Sequence, residues 1–333
     1  FMTVRKILLL SAYDVDSHQR WRKGLVAQFA CFEWTQLALP PRHFRWRIRG
    51  NPLSWYLEQD HLLAKSYDLL IATSMVDIAT LRGLYPHLAH CPLLVYFHEN
   101  QLDYPTTEQQ HPSIDPAMVN IYSAMAADTV VFNSEYNRQS FLEGLQRLIS
   151  KLPDHINLSL VEKIRYKSAV LCVPLEDSLF VEQSDSGCKD SDLQFAHHKQ
   201  VLVGNGNQHH NLIILWNHRV EYDKGVDEFL ALLQHLRNTS LNFKLILLGQ
   251  RFRKIPKTWQ VLTEQFAEHI LVNDFAKCRD EYLSWLRQAD IVVSTANHEF
   301  QGLAVMEACA MGCVPLVPDR LSYPEYFAAL YRY

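Results

Sequence analysis

This 333-residue chain contains no apolar run near the roughly 18 residues that cross a bilayer, and Ile7–Leu10 is too short and too early for a signal-peptide core. A cytoplasmic protein without a membrane partner is expected. Paired His/Cys ligands at zinc spacing are absent, so no metal site is expected. No Gly-x-Gly-x-x-Gly follows the first apolar run and no Gly-x-x-x-x-Gly-Lys-Ser/Thr occurs, which weighs against dehydrogenases and P-loop NTPases. The seven cysteines (Cys31, Cys91, Cys172, Cys188, Cys278, Cys309 and Cys313) are odd in number and scattered, mostly beside apolar residues. They read as buried thiols of a reducing compartment rather than a disulfide frame.

What is present suffices for two cores of ordinary size: 48% of residues are hydrophobic and 20% charged. Net charge is only -4, but residues 1–50 hold nine Lys/Arg against three Asp/Glu, so that stretch is +6 and the remainder -10. A polyanion is expected to dock near the N-terminus.

Continuous apolar runs, as in strands buried on both faces of a parallel sheet, begin with Arg5–Ala12 and recur at Asp68–Thr73, Pro92–Phe97, Thr129–Phe132 and Ala169–Val173. Amphipathic helix-length segments lie between them, around residues 19–30 and 134–149. A second series follows at Leu212–Trp216, Lys244–Leu248, Ile270–Val272, Asp290–Ser294 and Val314–Val317. From Glu176 to about Asn211 the pattern gives way to polar, turn-rich sequence without period. The expected fold is therefore α/β: two Rossmann-like doubly wound lobes facing a central cleft, over residues 1–175 and 212–333, joined by a polar linker at 176–211. In such sheets ligands sit outside the C-terminal strand ends.

Three constellations fall at such ends. After Trp216 comes Asn217-His-Arg-Val-Glu-Tyr-Asp-Lys-Gly225, which puts Arg219 and Lys224 where two fixed cations would neutralise a diphosphate leaving group; taken singly they read equally as solvated loop charges. After Ser294, a loop carries Glu299, Gly302 opens a helix and Glu307 lies in that helix among Ala304, Val305, Met306, Ala308, Cys309 and Ala310. Unpaired amides at the helix start suit phosphate oxygens. An acid in so apolar a helix needs a partner, and either an internal arginine or a ribose diol would serve. After Phe97, the run His98-Glu-Asn-Gln-Leu-Asp-Tyr-Pro105 crowds polar groups onto the first sheet's edge, where His98 would touch the reacting sugar or the acceptor or be an ordinary surface histidine.

Arg219 with Lys224, followed by Glu299 and Glu307 eight positions apart, resembles the retaining glycosyltransferases of the GT-B fold related to glycogen synthase. The resemblance implies that Arg219 and Lys224 hold the diphosphate, Glu299 the sugar hydroxyls, Glu307 the ribose, and the amides near Gly302 and Leu303 the distal phosphate. The N-terminal half departs from that family at large: Tyr13–Gly24 stands where a Gly-Gly loop is usual. Ser17-His18 with Trp21 and Gly24-Leu25, Phe97-His-Glu-Asn-Gln-Leu102 with Tyr104-Pro105, Phe132-Asn-Ser134 with Asn137 and Ser140-Phe141, and Trp216-Asn-His-Arg219 resemble the tRNA-queuosine mannosyltransferases. That family moves mannose from GDP-mannose to queuosine in the anticodon loop of an aspartate tRNA, with no cofactor beyond the donor. It implies acceptor-side roles for Ser17, His18, Glu99, Asn100, Gln101, Asn133 and Ser134.

One feature of the residues agrees with an RNA acceptor. Read as a strand, His43–Arg49 would send Phe44, Trp46 and Ile48 to one face and Arg45, Arg47 and Arg49 to the other, giving a basic ridge for phosphates with Arg42, Arg20, Arg22 and Lys23 nearby. A solvated strand face is the plain alternative. The expected mechanism is retaining transfer by departure and attack on one face of the sugar, with no protein nucleophile. A lipid or small-glycan acceptor, a nucleotide-sugar epimerase and a non-catalytic RNA- or sugar-binding module remain open on the residues alone. GT-B enzymes usually continue beyond a point such as Tyr333 into helices that return to the first lobe, so either this member is short or its tail is missing.

Overall fold

The computed structural model describes residues 4–104, 113–154, 156–180, 211–250 and 255–333. The chain forms two compact units, Phe1–Pro174 and Leu175–Tyr333. In the first, the elements run β1 (Lys6–Ser11), α1 (Asp16–Gln28), β2 (Glu33–Ala38), α2 (Phe44–Glu58), α3 (Asp60–Leu63), β3 (Leu69–Thr73), α4 (Ile78–Leu84), β4 (Leu93–Phe97), α5 (Asp115–Ala126), β5 (Thr129–Phe132), α6 (Glu135–Ile149), α7 (Ser159–Tyr166) and β6 (Ser168–Val170). The six strands are parallel in the order β2-β1-β3-β4-β5-β6. Leu8, Leu10, Leu70, Val95, Phe97 and Phe132 are buried in its core, as both-face burial of a parallel sheet requires.

The second unit runs β7 (Leu212–Trp216), α8 (Val226–Arg237), β8 (Phe243–Leu248), α9 (Lys257–Gln265), β9 (Ile270–Asp274), α10 (Arg279–Gln288), β10 (Ile291–Val293), α11 (Leu303–Ala310), β11 (Val314–Leu316) and α12 (Tyr323–Tyr326). Its parallel sheet has the order β11-β10-β7-β8-β9. Strand order thus reverses between β1 and β3 in one unit and between β7 and β10 in the other. Those are the switch points, outside whose C-terminal ends an open α/β sheet leaves a crevice.

Four expectations change. The strand at Glu33–Ala38 is absent from the sequence reading because it is an edge strand with only Leu37 buried, so it shows no continuous apolar run. The segment His43–Arg49 is not a strand: it enters α2, whose inner face carries Ile48 and Trp55 at 1% exposure, and helical packing overrides the local alternation. Pro52 lies inside this helix and cannot donate to Ile48; the Asn51 side-chain amide donates there instead at 3.2 Å, and to the Arg47 carbonyl at 2.7 Å. Of the linker, residues 181–210 lie outside the described residues. Leu179, three residues past its proposed start, is buried in the second unit's core, so that start belongs to the unit. The thiols are also not uniformly buried: Cys91 and Cys313 are, whereas Cys31, Cys172 and Cys278 are exposed and Cys188 lies outside the described residues. No helix of the described residues is long and apolar enough to cross a membrane.

Candidate functional site

At the second unit's switch point two loops are locked together. The loop after β7 ends at Gly225, whose φ of 66° is left-handed and whose Cβ, if present, would lie 1.9 Å from the Thr295 carbonyl oxygen. Only glycine lets that loop touch the one after β10. Thr295 donates its hydroxyl to the Lys224 carbonyl (3.0 Å), and the amides of Asn297 and His298 donate to the Asp223 carbonyl at 2.8 and 3.1 Å.

Inside this junction Lys224 is 6% exposed, and its Nζ donates to the His298 carbonyl at 2.8 Å. The same ammonium lies 3.1 Å from Asp223 and 3.3 Å from Glu299. Burial pushes the Glu299 carboxyl up, but the Lys224 charge and the amides of Gln301 and Gly302 outweigh it and leave it at about 2. It is ionised throughout the physiological range. His218, buried at the end of β7, is driven down to about 4 by desolvation and then by Lys224, so it stays neutral. Arg219 is half-exposed, 3.1 Å from Glu221 and 3.9 Å from Asp223. Both cations expected from the sequence therefore converge on Asp223.

Gly302 caps α11 with φ 83°, and a Cβ there would come within 2.9 Å of the Tyr323 ring. It opens the helix directly behind Glu299 and leaves the Leu303 end with unpaired amides. Glu307 is buried in the second turn and its partner is Arg279 at 2.7 Å, which also reaches Glu176 at 3.2 Å. The Tyr282 hydroxyl, held by Asn217 at 3.0 Å, bonds the same carboxylate. Of the two partners that the apolar setting of Glu307 allowed, the internal arginine is present. Arg279 carries no local signal of this role: it is 28 residues from Glu307 and matches no motif.

The first unit's edge is built differently. His98, at the end of β4, stacks on His18 of α1 at 4.0 Å between centroids, with the Trp21 ring edge-on at 4.9 Å and Tyr96 at 4.7 Å. Burial holds the His98 imidazole well below its usual value and His18 at about 4, so both are neutral. Ser11 Oγ, His18 Nδ1, Thr73 Oγ1, Ser74 Oγ and His98 Nε2, all buried at this edge, have no hydrogen-bond partner among the described residues. Ser17, Glu99 and Gln101 keep partly exposed side chains there.

The expected acceptor contacts of Asn100, Asn133 and Ser134 are otherwise engaged. Asn100 donates to Asn137 (2.8 Å) and Ser140 (3.0 Å) and accepts from the amides of Leu102 and Asp103. Asn133 donates to the His98 carbonyl at 2.8 Å, and Ser134 caps α6 by accepting the Asn137 amide at 2.9 Å. These three hold the loop that carries His98. The arginine ridge is likewise corrected, because a helical turn separates what a strand would align: Arg47 is buried, while Arg45 and Arg49 remain exposed on the opposite face. Arg22 is taken by Asp14 at 2.7 Å and leaves the basic footprint. Asp14-Val15-Asp16 has the Asp-x-Asp spacing of a metal–diphosphate site, but that same ion pair occupies Asp14. Among the described residues no group of three or more His, Cys, Asp or Glu is arranged to hold a metal.

Two doubly wound parallel-sheet units, the second with cations and a glycine-opened helix at its switch point, define a glycosyltransferase of the GT-B type. Solved structures of that type match throughout: Anabaena HepE in complex with UDP and glucose (TM-score 0.58, 14% identity, 97% of this chain and 83% of that one). The UDP-forming trehalose-phosphate synthase of Burkholderia xenovorans matches at TM-score 0.61 and 13% identity, covering 97% and 86%. Residues 202–332 match the family described as glycosyl transferases group 1, and residues 6–175 match the tRNA-queuosine alpha-mannosyltransferase N-terminal family. The tRNA-queuosine alpha-mannosyltransferase of Drosophila melanogaster is 32% identical over 327 residues, 96% of this chain and 81% of that protein. The chain belongs to the tRNA-queuosine alpha-mannosyltransferase family.

Proposed function

We propose that the chain is a retaining, metal-independent hexosyltransferase that moves mannose from GDP-mannose to queuosine in the anticodon loop of an aspartate tRNA in the cytoplasm. The observation that carries this reading is the Lys224–Glu299–Gly302 junction: a nearly buried ammonium beside an ionised carboxylate and the open start of α11. Lys224 and Arg219 take the diphosphate and neutralise the charge that develops as it leaves. The Leu303 amide, at the open start of α11, donates to the distal phosphate oxygens. Glu299 accepts hydrogen bonds from the sugar hydroxyls. Glu307, its carboxylate oriented by Arg279, meets the ribose diol.

On the acceptor side the neutral edge around His18 and His98 suits a diol, which offers hydroxyl groups to buried atoms that lack partners. Held neutral by burial, His98 serves as a hydrogen-bonding group near the reacting carbon rather than as a general base, since its basicity is far below neutrality. Departure and attack share one face of the sugar and no protein nucleophile is assigned.

The test is mass spectrometry of nucleosides from queuosine-containing tRNA incubated with the protein and a panel of nucleotide sugars. A hexosyl-queuosine formed with GDP-mannose is the expected product. Transfer from a uridine donor alone would overturn the donor assignment, and an isomerised nucleotide sugar with unmodified RNA would establish an epimerase instead.

A further inference from the structure

The outward face of α2 carries Arg45, Trp46, Arg49, Leu53, Tyr56 and Leu57 within an arc of about 120°, at 100° per residue. All six are exposed, with Trp46 at 49% and Leu57 at 73%, and no acidic residue lies among them. Solvated helix faces do not usually combine arginine with a row of large apolar side chains.

The indole is also seated. Gly50 stands one turn on, in a helix interior where glycine is the least favoured residue apart from proline. A Cβ at Gly50 would lie 2.5 Å from the Trp46 ring, so the missing side chain is what allows the ring to lie across the helix. One face of the ring covers the backbone at Gly50, and about half of the residue stays open to solvent. Arg49 is pinned by Asp77 at 2.6 Å, yet 52% of its side chain is exposed. The helix lies at the end of the fifty-residue stretch of charge +6, the most basic part of the chain.

We propose that this face is a platform for an RNA loop: the Trp46 indole stacks on an unpaired base while Arg45 and Arg49 contact flanking phosphates. Stacking on an aromatic ring needs no particular base, and arginine's planar fork suits phosphate better than lysine's point charge. The proposal rests on the queuosine-RNA reading and adds where the RNA is held. It replaces the strand ridge expected from the sequence with a helical face whose central residue is aromatic.

The test is binding of a labelled anticodon stem-loop and of queuosine-containing tRNA to the full chain, measured against salt, beside transfer kinetics. Trp46→Ala is expected to weaken RNA binding at least ten-fold and to raise KM for RNA rather than lower kcat. Its thermal midpoint should fall only modestly because half of the side chain is already exposed, and Trp46→Phe should restore most of the affinity. Arg45→Ala should lower the slope of log affinity against log salt by about 0.7, as for one phosphate of a single strand. RNA affinity unchanged in Trp46→Ala overturns the platform. So does a Trp46→Ala defect confined to anionic vesicle binding or to self-association in sedimentation. If wild type transfers no sugar to any RNA while RNA binding still depends on Trp46, the functional reading fails and the platform stands.

Discussion

The two sheet edges use opposite chemistry. In the second unit the switch point is ionic, with Lys224, Asp223, Glu299 and Arg219 packed around one loop junction and Arg279 with Glu307 behind it. In the first it is neutral, made of stacked imidazoles, hydroxyls and asparagine amides. A nucleotide diphosphate brings charge that must be met with charge, whereas a sugar-accepting diol is met by uncharged hydrogen-bonding groups. If the edges divide donor from acceptor in this way, they must fail differently when perturbed.

The largest difference is expected at Lys224. Lys224→Ala removes the cation from the Asp223–Glu299 pair and should lower transfer by about 10²–10³-fold or more. Because the ammonium is buried, truncation also leaves Glu299 without its cation and Asp223 with only the half-exposed Arg219 at 3.9 Å, at a cost of about 3–5 kcal/mol in stability. Glu307→Ala provides the contrast: its freed partner Arg279 is partly exposed, so donor KM should rise with a smaller stability loss. Full transfer activity in either variant, measured with folding checked by thermal denaturation, breaks the donor-edge assignment.

Acidification probes both edges next. His18 and His218, at about 4 in the fold, and His98, which burial also holds well down, all lie beneath the ordinary value near 6.5. The unfolded chain therefore binds protons between pH 6.5 and 4 that the fold refuses. Stability falls as pH drops through that window, by about 1.4 kcal/mol per pH unit for each histidine. Glu299 acts lower: its contribution is intact above about 4.5 and fades only as pH falls toward 2. Denaturant midpoints at pH 7.5, 6 and 5 should thus decline, and His98→Gln should flatten the decline by about one histidine's share. Midpoints constant from pH 7 to pH 5 would show that the imidazoles are not held neutral by burial.

What the sequence made legible follows the same physics. Strands buried on both faces announced themselves, and Thr129–Phe132 and Leu212–Trp216 match residue for residue. The edge strand Glu33–Ala38 did not, because one-sided exposure erases the apolar run. Lys224, Glu299 and Gly302 could be placed because loop ends follow strand ends, and the structure brings them together. Arg279 and Asp223 could not be assigned, since their importance comes from contacts across 28 residues in one case and 74 and 75 in the other, which no local pattern encodes. The alternation Arg45-Trp-Arg-Ile-Arg49 misled because a short segment satisfies two periods at once, and only the buried positions Ile48 and Trp55, seven apart, choose the helix.

The smallest expected effect is the most diagnostic for the neutral edge. Family resemblance assigned Ser134 to the acceptor, yet its hydroxyl accepts the Asn137 amide at the start of α6, and Asn137 in turn holds Asn100 and Asn133. A cap of this kind is worth about 1 kcal/mol. Ser134→Ala should therefore lower the denaturant midpoint slightly and leave KM for RNA unchanged, and Ser134→Asp or Ser134→Thr should restore stability because either side chain can accept the same amide. A rise in KM for RNA without loss of stability would return Ser134 to the acceptor. That result would also mean that the asparagine network exists to present its hydroxyl, rather than to fix the loop behind His98.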